Sequence, residues 1–329
     1  MVAPVNRQVK RLVCALGTWA AVCAAGTLDG ARCVVPAKPG GGFDLTCQLA
    51  RDSLQAAGLT RTPLQIGYQP GGIGALAFRS TVNQTPADAR TVMAFSSGSL
   101  LNLAQGRFGP YQPSHVRWLA AVGMDHGVVA VRRDSPYRTL GQLLEALRAR
   151  PEAIVFGAGG SIGSQDWMKA ALLARAAGVG HKAMRFVAFE GGGEALSALK
   201  GDHVQVLAGD AAEVGQHIDK GFNVRVLATL SEHRLPGRWS AVPTAKEQGY
   251  DIRWPILRGF YMGPGVAERD LREWADTLGR ALQHPAAASA LARSGITPAW
   301  VTGAELDRLV QTQVAQYREQ AAAFGLVRP

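Results

Sequence analysis

Cysteine is scarce in this chain, with four residues in 329, and two of them, Cys14 and Cys23, lie in the N-terminal segment. Cys33 and Cys47 remain, 14 positions apart. No further cysteine or histidine pair stands near them, so we predict no metal site. An oxidising compartment would allow Cys33 and Cys47 to form a disulfide, and the alternative is two separate buried thiols.

A long apolar run is also missing from the N-terminus. Residues 12–25 are apolar apart from one threonine and follow three basic residues, but the run is shorter than the ~20 residues that span a bilayer. This pattern is typical of a secretory signal peptide, which we expect within residues 1–31, with cleavage after Ala25 or Ala31. A retained membrane anchor is the alternative. Cys23 lacks the flanking residues of a lipoprotein site, so we predict a soluble protein exported to the periplasm.

Motifs of cofactor and metal chemistry are absent as well. The sequence has no H-E-x-x-H pattern, and no phosphate-loop lysine follows a glycine cluster. Ile162 stands where a dinucleotide-binding loop beginning at Gly157 would need its third glycine. We therefore expect no cofactor.

One pattern suggests catalysis. Gly159-Gly-Ser-Ile-Gly163 matches G-x-S-x-G, and a serine hydrolase could use Ser161 with Asp210 and then His217 or His233. Because such short patterns arise readily in glycine-rich loops, we favour a loop in which Ser161 contacts a ligand. We predict no catalytic residue, and the hydrolase is kept as an alternative.

Acidic residues are outnumbered. The chain has 35 basic and 25 acidic residues, a net charge of +10, which falls to +7 if the three basic residues of the leader are removed. Such a balance favours an acidic small molecule or a negatively charged partner surface. The basic residues are scattered and are not interleaved with aromatic residues, so nucleic acid is not a predicted partner.

Glycine, by contrast, is concentrated at two informative points. Residues 33–47 read as a short strand, a turn with three consecutive glycines and the start of a helix, and the pattern recurs at 157–164. Glycines let a ligand approach the backbone, and the free N–H groups of a helix N-terminus attract anions. We infer two halves that each offer such a loop to one shared ligand.

From Cys33 onward, short apolar runs alternate with helical periodicities, as in βαβ units. This predicts an α/β fold of two lobes, each a mostly parallel sheet flanked by helices. Ligands bind beyond the carboxyl ends of parallel strands. The turns that should gather at one rim are 42–44, 96–99, 159–164, 190–193 and Asp210.

Three local details complete the prediction. Asp44 occupies the position expected of an N-cap for the first helix. Residues 118–132 are predicted to be hairpin-like. The last three predicted helices should return to the first lobe, so lobe 1 comprises 32–130 plus 256–329 and lobe 2 comprises 131–255.

Five motifs, in order along the chain, resemble those of the tripartite tricarboxylate transporter solute receptors, the TctC or Bug family. They are Val-Pro-Ala-Lys-Pro-Gly-Gly-Gly-Phe-Asp (35–44), Gln-Pro-Gly-Gly-Ile-Gly (69–74), Gly-Ala-Gly-Gly-Ser-Ile-Gly-Ser (157–164), Val-Ala-Phe-Glu-Gly-Gly (187–192) and Val-Pro-Thr-Ala-Lys-Glu-Gln-Gly-Tyr (242–250).

The resemblance implies a type II periplasmic binding fold that closes on a small di- or tricarboxylate or related organic acid. It implies a monomeric receptor that delivers its ligand to membrane permease subunits; a carboxylate sensor with a signalling partner is the alternative. The ligand-binding positions that it implies are Gly42, Phe43, Asp44, Pro70, Gly72, Ile73, Ser97, Gly98, Gly160, Ser161, Ser164, Gly191 and Asp210.

The chain departs from that family's pattern at Lys38 and Glu190, among other positions. Lys38 could add a positive group near the pocket. Glu190 stands where a lysine is frequent and would oppose an anion placed close to it. These departures leave the identity of the carboxylate open.

Overall fold

The computed structural model describes Met1 and residues 28–327, so the predicted signal peptide lies almost wholly outside the described residues. None of the helices in the described part of the chain is both long and apolar enough to cross a bilayer. Ten strands form the framework: β1 (Arg32–Val35), β2 (Gln65–Tyr68), β3 (Thr91–Ser96), β4 (Arg117–Arg132), β5 (Val155–Gly159), β6 (Arg185–Phe189), β7 (Val206–Asp210), β8 (Val224–Thr229), β9 (Pro255–Met262) and β10 (Thr297–Thr302).

Helices flank these strands on their faces, as the alternating sequence pattern predicts. They are α1 (Gly42–Ala56), α2 (Ala75–Asn83), α3 (Ser97–Ala104), α4 (Leu140–Ala149), α5 (Gln165–Ala176), α6 (Gly192–Lys200), α7 (Ala211–Asp219), α8 (Glu268–Gln283), α9 (Ala288–Ser294) and α10 (Gly303–Ala322).

The strands form a mixed sheet with two parts. Sheet A has the order β2-β1-β3-β9-β4-β10, and sheet B has the order β6-β5-β7-β4-β8. Strands β1, β2 and β3 are parallel to one another in sheet A, as are β5, β6 and β7 in sheet B, whereas β4 runs antiparallel to β9 and β10 in sheet A and to β7 and β8 in sheet B. The fold is therefore α/β, with one set of three parallel strands in each part and antiparallel pairing around the shared strand β4.

Strand β4 belongs to both parts and corrects the hairpin prediction for residues 118–132. Its first portion pairs with β9, and Gly127–Arg132 pair with β7 and β8. The glycines that suggested a turn instead permit close packing. A Cβ at Gly123 would lie 2.4 Å from Ile296 Cγ2, and one at Gly127 would lie 2.9 Å from Lys169 Cδ.

A disulfide joins Cys33 in β1 to Cys47 in α1, with a Cα–Cα distance of 5.7 Å. Of the two alternatives stated for these cysteines, the structure has the bonded one. Both residues are fully buried in the core beneath α1. The bond fixes the glycine turn between β1 and α1, which positions the N-terminus of that helix.

Candidate functional site

Five helices begin at the carboxyl ends of strands and direct their N-termini toward one cleft between sheets A and B. The helices α1 and α3 follow β1 and β3 of sheet A, and α5, α6 and α7 follow β5, β6 and β7 of sheet B. Because the strands within each of these sets run the same way, their carboxyl ends gather at one edge. The free N–H groups and the partial positive charge of each N-terminus converge there.

The inner end of this cleft is a small cavity of about 40 Å³. It is lined by seven of the thirteen ligand-binding positions that the family resemblance implies. These are Gly42, Phe43, Ile73, Gly98, Ser164, Gly191 and Asp210.

A roomier outer cavity of about 500 Å³ adjoins it, and Ile73, Asn102 and Ser164 line both. The outer cavity adds three more predicted positions, Gly72, Gly160 and Ser161. Ten of the thirteen positions thus line one continuous cleft.

Asp44, Pro70 and Ser97 are not among the lining residues of either cavity. The Asp44 carboxylate accepts hydrogen bonds from the Gly40 amide at 2.8 Å and the Tyr68 hydroxyl at 3.1 Å. Helix α1 begins two residues before Asp44, with Gly41 as its N-cap, so the predicted N-cap role of Asp44 is wrong. The Ser97 hydroxyl lies beneath the cleft and accepts from the Leu257 amide at 2.9 Å.

A cluster of buried charges, not predicted from the sequence, lies under the inner cavity. Asp210 forms ion pairs with Arg258 at 2.8 Å and with Lys169 at 2.6 Å. Arg258 also binds Asp125 at 2.6 Å, and Lys169 also binds Asp166 at 2.8 Å. All five side chains are at most 5% exposed.

Electrostatics within this cluster depend on both burial and charge. Burial acts to raise the pKa of Asp210, but Lys169 and Arg258 outweigh it and bring the pKa below its usual value. Burial acts to lower the pKa of Arg258, but the negative charges of Asp125 and Asp210 outweigh burial and raise that pKa above its usual value. Asp210 and Arg258 therefore stay ionised as a buried pair.

Glu213 is the sixth ionisable side chain of this buried cluster, and it was not predicted from the sequence either. It lies in the first turn of α7, lines the inner cavity and accepts a hydrogen bond from the Gly42 amide of α1. Burial, and then the nearby Asp210 and Asp166, raise the pKa of its carboxyl well above the usual value. The sequence shows an acidic residue in the first turn of α7, but nothing in the neighbouring residues indicates that its carboxyl faces the N-terminus of α1.

Several contacts hold the two sides of the cleft together. Lys38, after β1, forms a 2.6 Å ion pair with Glu194 of α6. The Gln105 amide donates to the Gly163 carbonyl at 2.8 Å, and Arg107 Nη1 donates to the Ser161 hydroxyl at 2.9 Å. These contacts describe a closed cleft.

The residues of the alternative hydrolase are engaged in other interactions. The Ser161 hydroxyl is bound by Arg107, and the Asp210 carboxylate is bound by Lys169 and Arg258. His217 lies beside Gly40, and burial lowers its pKa. Asp210 is thus committed to two cations and does not orient a catalytic histidine. Across the described part of the chain, no three His, Cys, Asp or Glu side chains are grouped to hold a metal ion.

A sheet divided by a shared strand, with helix N-termini from both sides facing one cleft, defines the fold of the periplasmic binding proteins. The chain belongs to the tripartite tricarboxylate transporter family of receptors, whose family model (TctC) matches residues 59–326. Members of this family and the structural neighbours are solute-binding proteins rather than enzymes.

Three solved structures share this fold at low sequence identity. The periplasmic binding protein BugD has a TM-score of 0.80 at 20% identity, covering 91% of this chain and 98% of that one. MatC (Rpa3494) from Rhodopseudomonas palustris with bound malate has a TM-score of 0.76 at 20% identity, covering 89% and 99%. Rpa4515 from R. palustris with adipate has a TM-score of 0.80 at 19% identity, covering 90% and 97%.

Proposed function

We propose that this protein is an extracytoplasmic receptor that captures a small carboxylate in the cleft between sheets A and B. The observation that carries the proposal is the convergence of five helix N-termini, from both sides, on that cleft. Amides and hydroxyls at such termini bind anions without a dedicated arginine. The structural neighbours with bound malate and adipate support a carboxylate as the ligand.

We propose that closure about the ligand follows the lobe boundaries inferred from the sequence, 32–130 plus 256–329 and 131–255. The chain passes between sheets A and B within the shared strand β4 and again in the segment that leads from β8 to β9, which supports hinges near these boundaries. Contacts across the cleft, such as Lys38 with Glu194, would form on closure. A ligand that contacts both sides would then select the closed state.

Export to the periplasm and delivery to permease subunits by a monomeric receptor complete the proposal. Cleavage after Ala25 is favoured over cleavage after Ala31 because Leu28 and Ala31 are buried in the core. The Ala31 carbonyl also accepts a hydrogen bond from the Gln65 amide at 3.0 Å, beside the pairing of β1 with β2. Removal of residues 26–31 would expose that core.

Ligand titration of the mature chain tests the function. Isothermal titration with mono-, di- and tricarboxylates should detect at least one ligand, which should also raise the melting temperature. Failure of every carboxylate to bind, while an unrelated solute binds, would overturn the proposal.

A matched pair of helix-cap variants then tests the site. Ser164→Ala removes an N-cap that lines both cavities, and Thr139→Ala removes the N-cap of α4, away from the cleft. Each should cost about 1 kcal/mol of stability. Only Ser164→Ala should also weaken ligand binding. Equal ligand affinities of the two variants would show that the cleft is not the binding site.

A further inference from the structure

The two ends of the cleft differ in chemistry. The outer cavity is lined by hydrogen-bonding groups of Asn102, Arg107 and Ser161, together with Glu190 and with Glu194, which is paired with Lys38. The inner cavity is lined by three carboxyl groups, those of Asp166, Asp210 and Glu213, and by the guanidinium of Arg258. A ligand that extends along the cleft therefore meets different partners at its two ends.

The Glu213 carboxyl fills the place between two helix N-termini at the inner end. One oxygen accepts a hydrogen bond from the Gly42 amide of α1. The other lies against α6, because a Cβ added at Gly192 would be 1.9 Å from Glu213 Oε2. This is the position in which two helix dipoles would hold a ligand carboxylate, and a group of the protein already occupies it.

The charge balance around Glu213 opposes a second anion there. Asp125, Asp166 and Asp210 face only two cations, Lys169 and Arg258, which are bound to them in ion pairs. Even with Glu213 protonated, three buried carboxyl groups face these two cations, and burial raises the pKa of two of them, Asp125 and Asp166, which shows that further negative charge is unfavourable there. A ligand carboxylate at the inner end would meet like charges in a site shielded from water.

The inner end instead offers an acceptor that lacks a donor. Gln165 Oε1 is buried and, within the described residues, has no hydrogen-bond partner, whereas its Nε2 donates to Asp210 at 3.0 Å. The oxygen faces the N-terminus of α3, 3.1 Å from where a Cβ on Gly98 would stand. A buried acceptor without a partner is costly, and a ligand hydroxyl or ammonium would satisfy it.

We propose that Glu213 takes the place of a diacid's second carboxylate, so that this receptor selects a small monocarboxylate whose other end is a hydrogen-bond donor. The ligand carboxylate lies at the outer end, near Asn102, Arg107 and Ser161. There the two acids, Glu190 and Glu194, are matched by two cations, Arg107 and Lys38, so negative charge is not in excess as it is at the inner end. The donor of the ligand reaches Gln165 and the acids at the inner end. This inference rests on the proposed function, since it specifies the ligand of the same cleft.

The test compares ligands of equal length that differ at one end. Succinate, 4-hydroxybutanoate and 4-aminobutanoate form one set, and adipate, 6-hydroxyhexanoate and 6-aminohexanoate form another. The mature protein should bind a donor-ended member about tenfold or more tightly than the diacid of its set. Comparison of the hydroxyl-ended ligand with the amine-ended ligand in each set shows which donor the site prefers.

The variant Glu213→Ala should free the Gly42 amide and raise the affinity for the diacid about tenfold. The preference for the donor-ended ligand over the diacid should then become smaller or reverse. Glu213→Gln, which keeps the size of the side chain, should shift the preference in the same direction and serves if the alanine variant does not fold. The control is Glu247→Ala, because Glu247 also accepts from a backbone amide, that of Thr244 at 2.7 Å, but is not among the residues lining the cleft. That variant should leave the preference unchanged.

The outcomes separate this inference from the function on which it rests. If the wild type binds diacids as tightly as donor-ended ligands, or if the Glu213 variants leave the preference unchanged, the role of Glu213 is wrong while carboxylate capture stands. If neither these ligands nor the wider carboxylate panel binds wild type or variants, the proposed function is itself wrong and the inference falls with it.

Discussion

Arg258 and Asp210 form an ion pair of 2.8 Å that joins sheet A to sheet B, and their side chains are only 1% and 3% exposed. Arg258 comes from β9, and Asp210 ends β7 just before α7. The same guanidinium binds Asp125 of β4, whose carboxylate accepts from the Ala212 amide of α7 at 3.1 Å. One arginine thus connects the strand shared by both sheets to a helix N-terminus of the cleft.

Arg258→Ala should destabilise the protein severely, because it leaves Asp125 and Asp210 buried with less countercharge. Removal of one partner of a buried ion pair costs about 3–5 kcal/mol. The control is Arg253→Ala, since Arg253 forms its ion pairs with Glu232 and Asp251 at the surface, where ion pairs contribute little to stability. Urea unfolding measures the free energy of unfolding of both variants. Losses of similar size would contradict a role for Arg258 in joining sheets A and B.

The disulfide should stabilise the glycine turn that precedes α1. Replacement of both Cys33 and Cys47 by alanine should lower the free energy of unfolding by about 3 kcal/mol, as expected for a loop of this length. A reducing agent should lower the melting temperature of the wild type and leave that of the double variant unchanged. If reduction shifts both proteins equally, the bond is not the source of the effect.

Gly192→Ala should displace Glu213 from the two helix termini, because the new Cβ would lie 1.9 Å from one carboxyl oxygen and 2.7 Å from the carboxyl carbon. Gly141→Ala is the matched control in the first turn of α4, where the nearest atom to a Cβ is the Tyr250 hydroxyl at 3.6 Å. We expect Gly141→Ala to be neutral or stabilising by up to about 1 kcal/mol, and Gly192→Ala to be destabilising.

The double variant Gly192→Ala/Glu213→Ala gives the decisive comparison. If the methyl group acts by its clash with Glu213, the double variant should be more stable than the sum of the two single changes predicts. Thermal or urea unfolding of the four proteins measures this coupling. Strict additivity would show that Gly192→Ala acts through some other contact.

The local sequence predicted the glycine and serine turns at the cleft, although the N-cap of α1 is Gly41 and not the predicted Asp44. A short apolar run, a glycine or serine turn and a helical periodicity lie within about fifteen residues of one another at Cys33–Cys47 and again around 157–164. Such signals depend on neighbouring residues alone, so they can be read without tertiary structure. Ten of the thirteen ligand-binding positions that the family resemblance implies also line the cleft.

The charge cluster could not be predicted in the same way. Arg258 and Asp125 are 133 residues apart, and Lys169 and Asp210 are 41 apart. Asp166 and Lys169, three positions apart on α5, have the spacing of an exposed helical ion pair, yet both are buried. The hairpin prediction for 118–132 failed for a related reason, because Gly123 and Gly127 serve contacts with residues distant in sequence.

Glu213 should make the stability of the protein depend on pH. Its pKa is raised in the fold by burial and by Asp210 and Asp166, so the folded chain keeps a proton that the unfolded chain loses above the ordinary glutamate pKa of about 4.3. Because the folded state binds more protons in that window, the contribution of Glu213 to stability is present at low pH and is lost as pH rises toward its folded pKa. Glu213→Gln should therefore remove a decline in stability between about pH 5 and pH 7 whose slope is at most about 1.4 kcal/mol per pH unit.

Urea unfolding of wild type and Glu213→Gln at pH 5, 6 and 7 measures this difference. Lys169 and Asp166 of α5, Asp210 at the end of β7, His217 of α7 and Arg258 of β9 remain in both proteins, so their titration largely cancels in the comparison. Glu247→Gln is the control. Hydrogen bonds from Thr244 and Arg234 lower the pKa of Glu247, so this variant should change the pH dependence of stability with the opposite sign, and only below pH 5. Parallel curves for wild type and Glu213→Gln would show that the Glu213 carboxyl is already ionised at pH 5, and the inner end of the cleft would then carry one more negative charge.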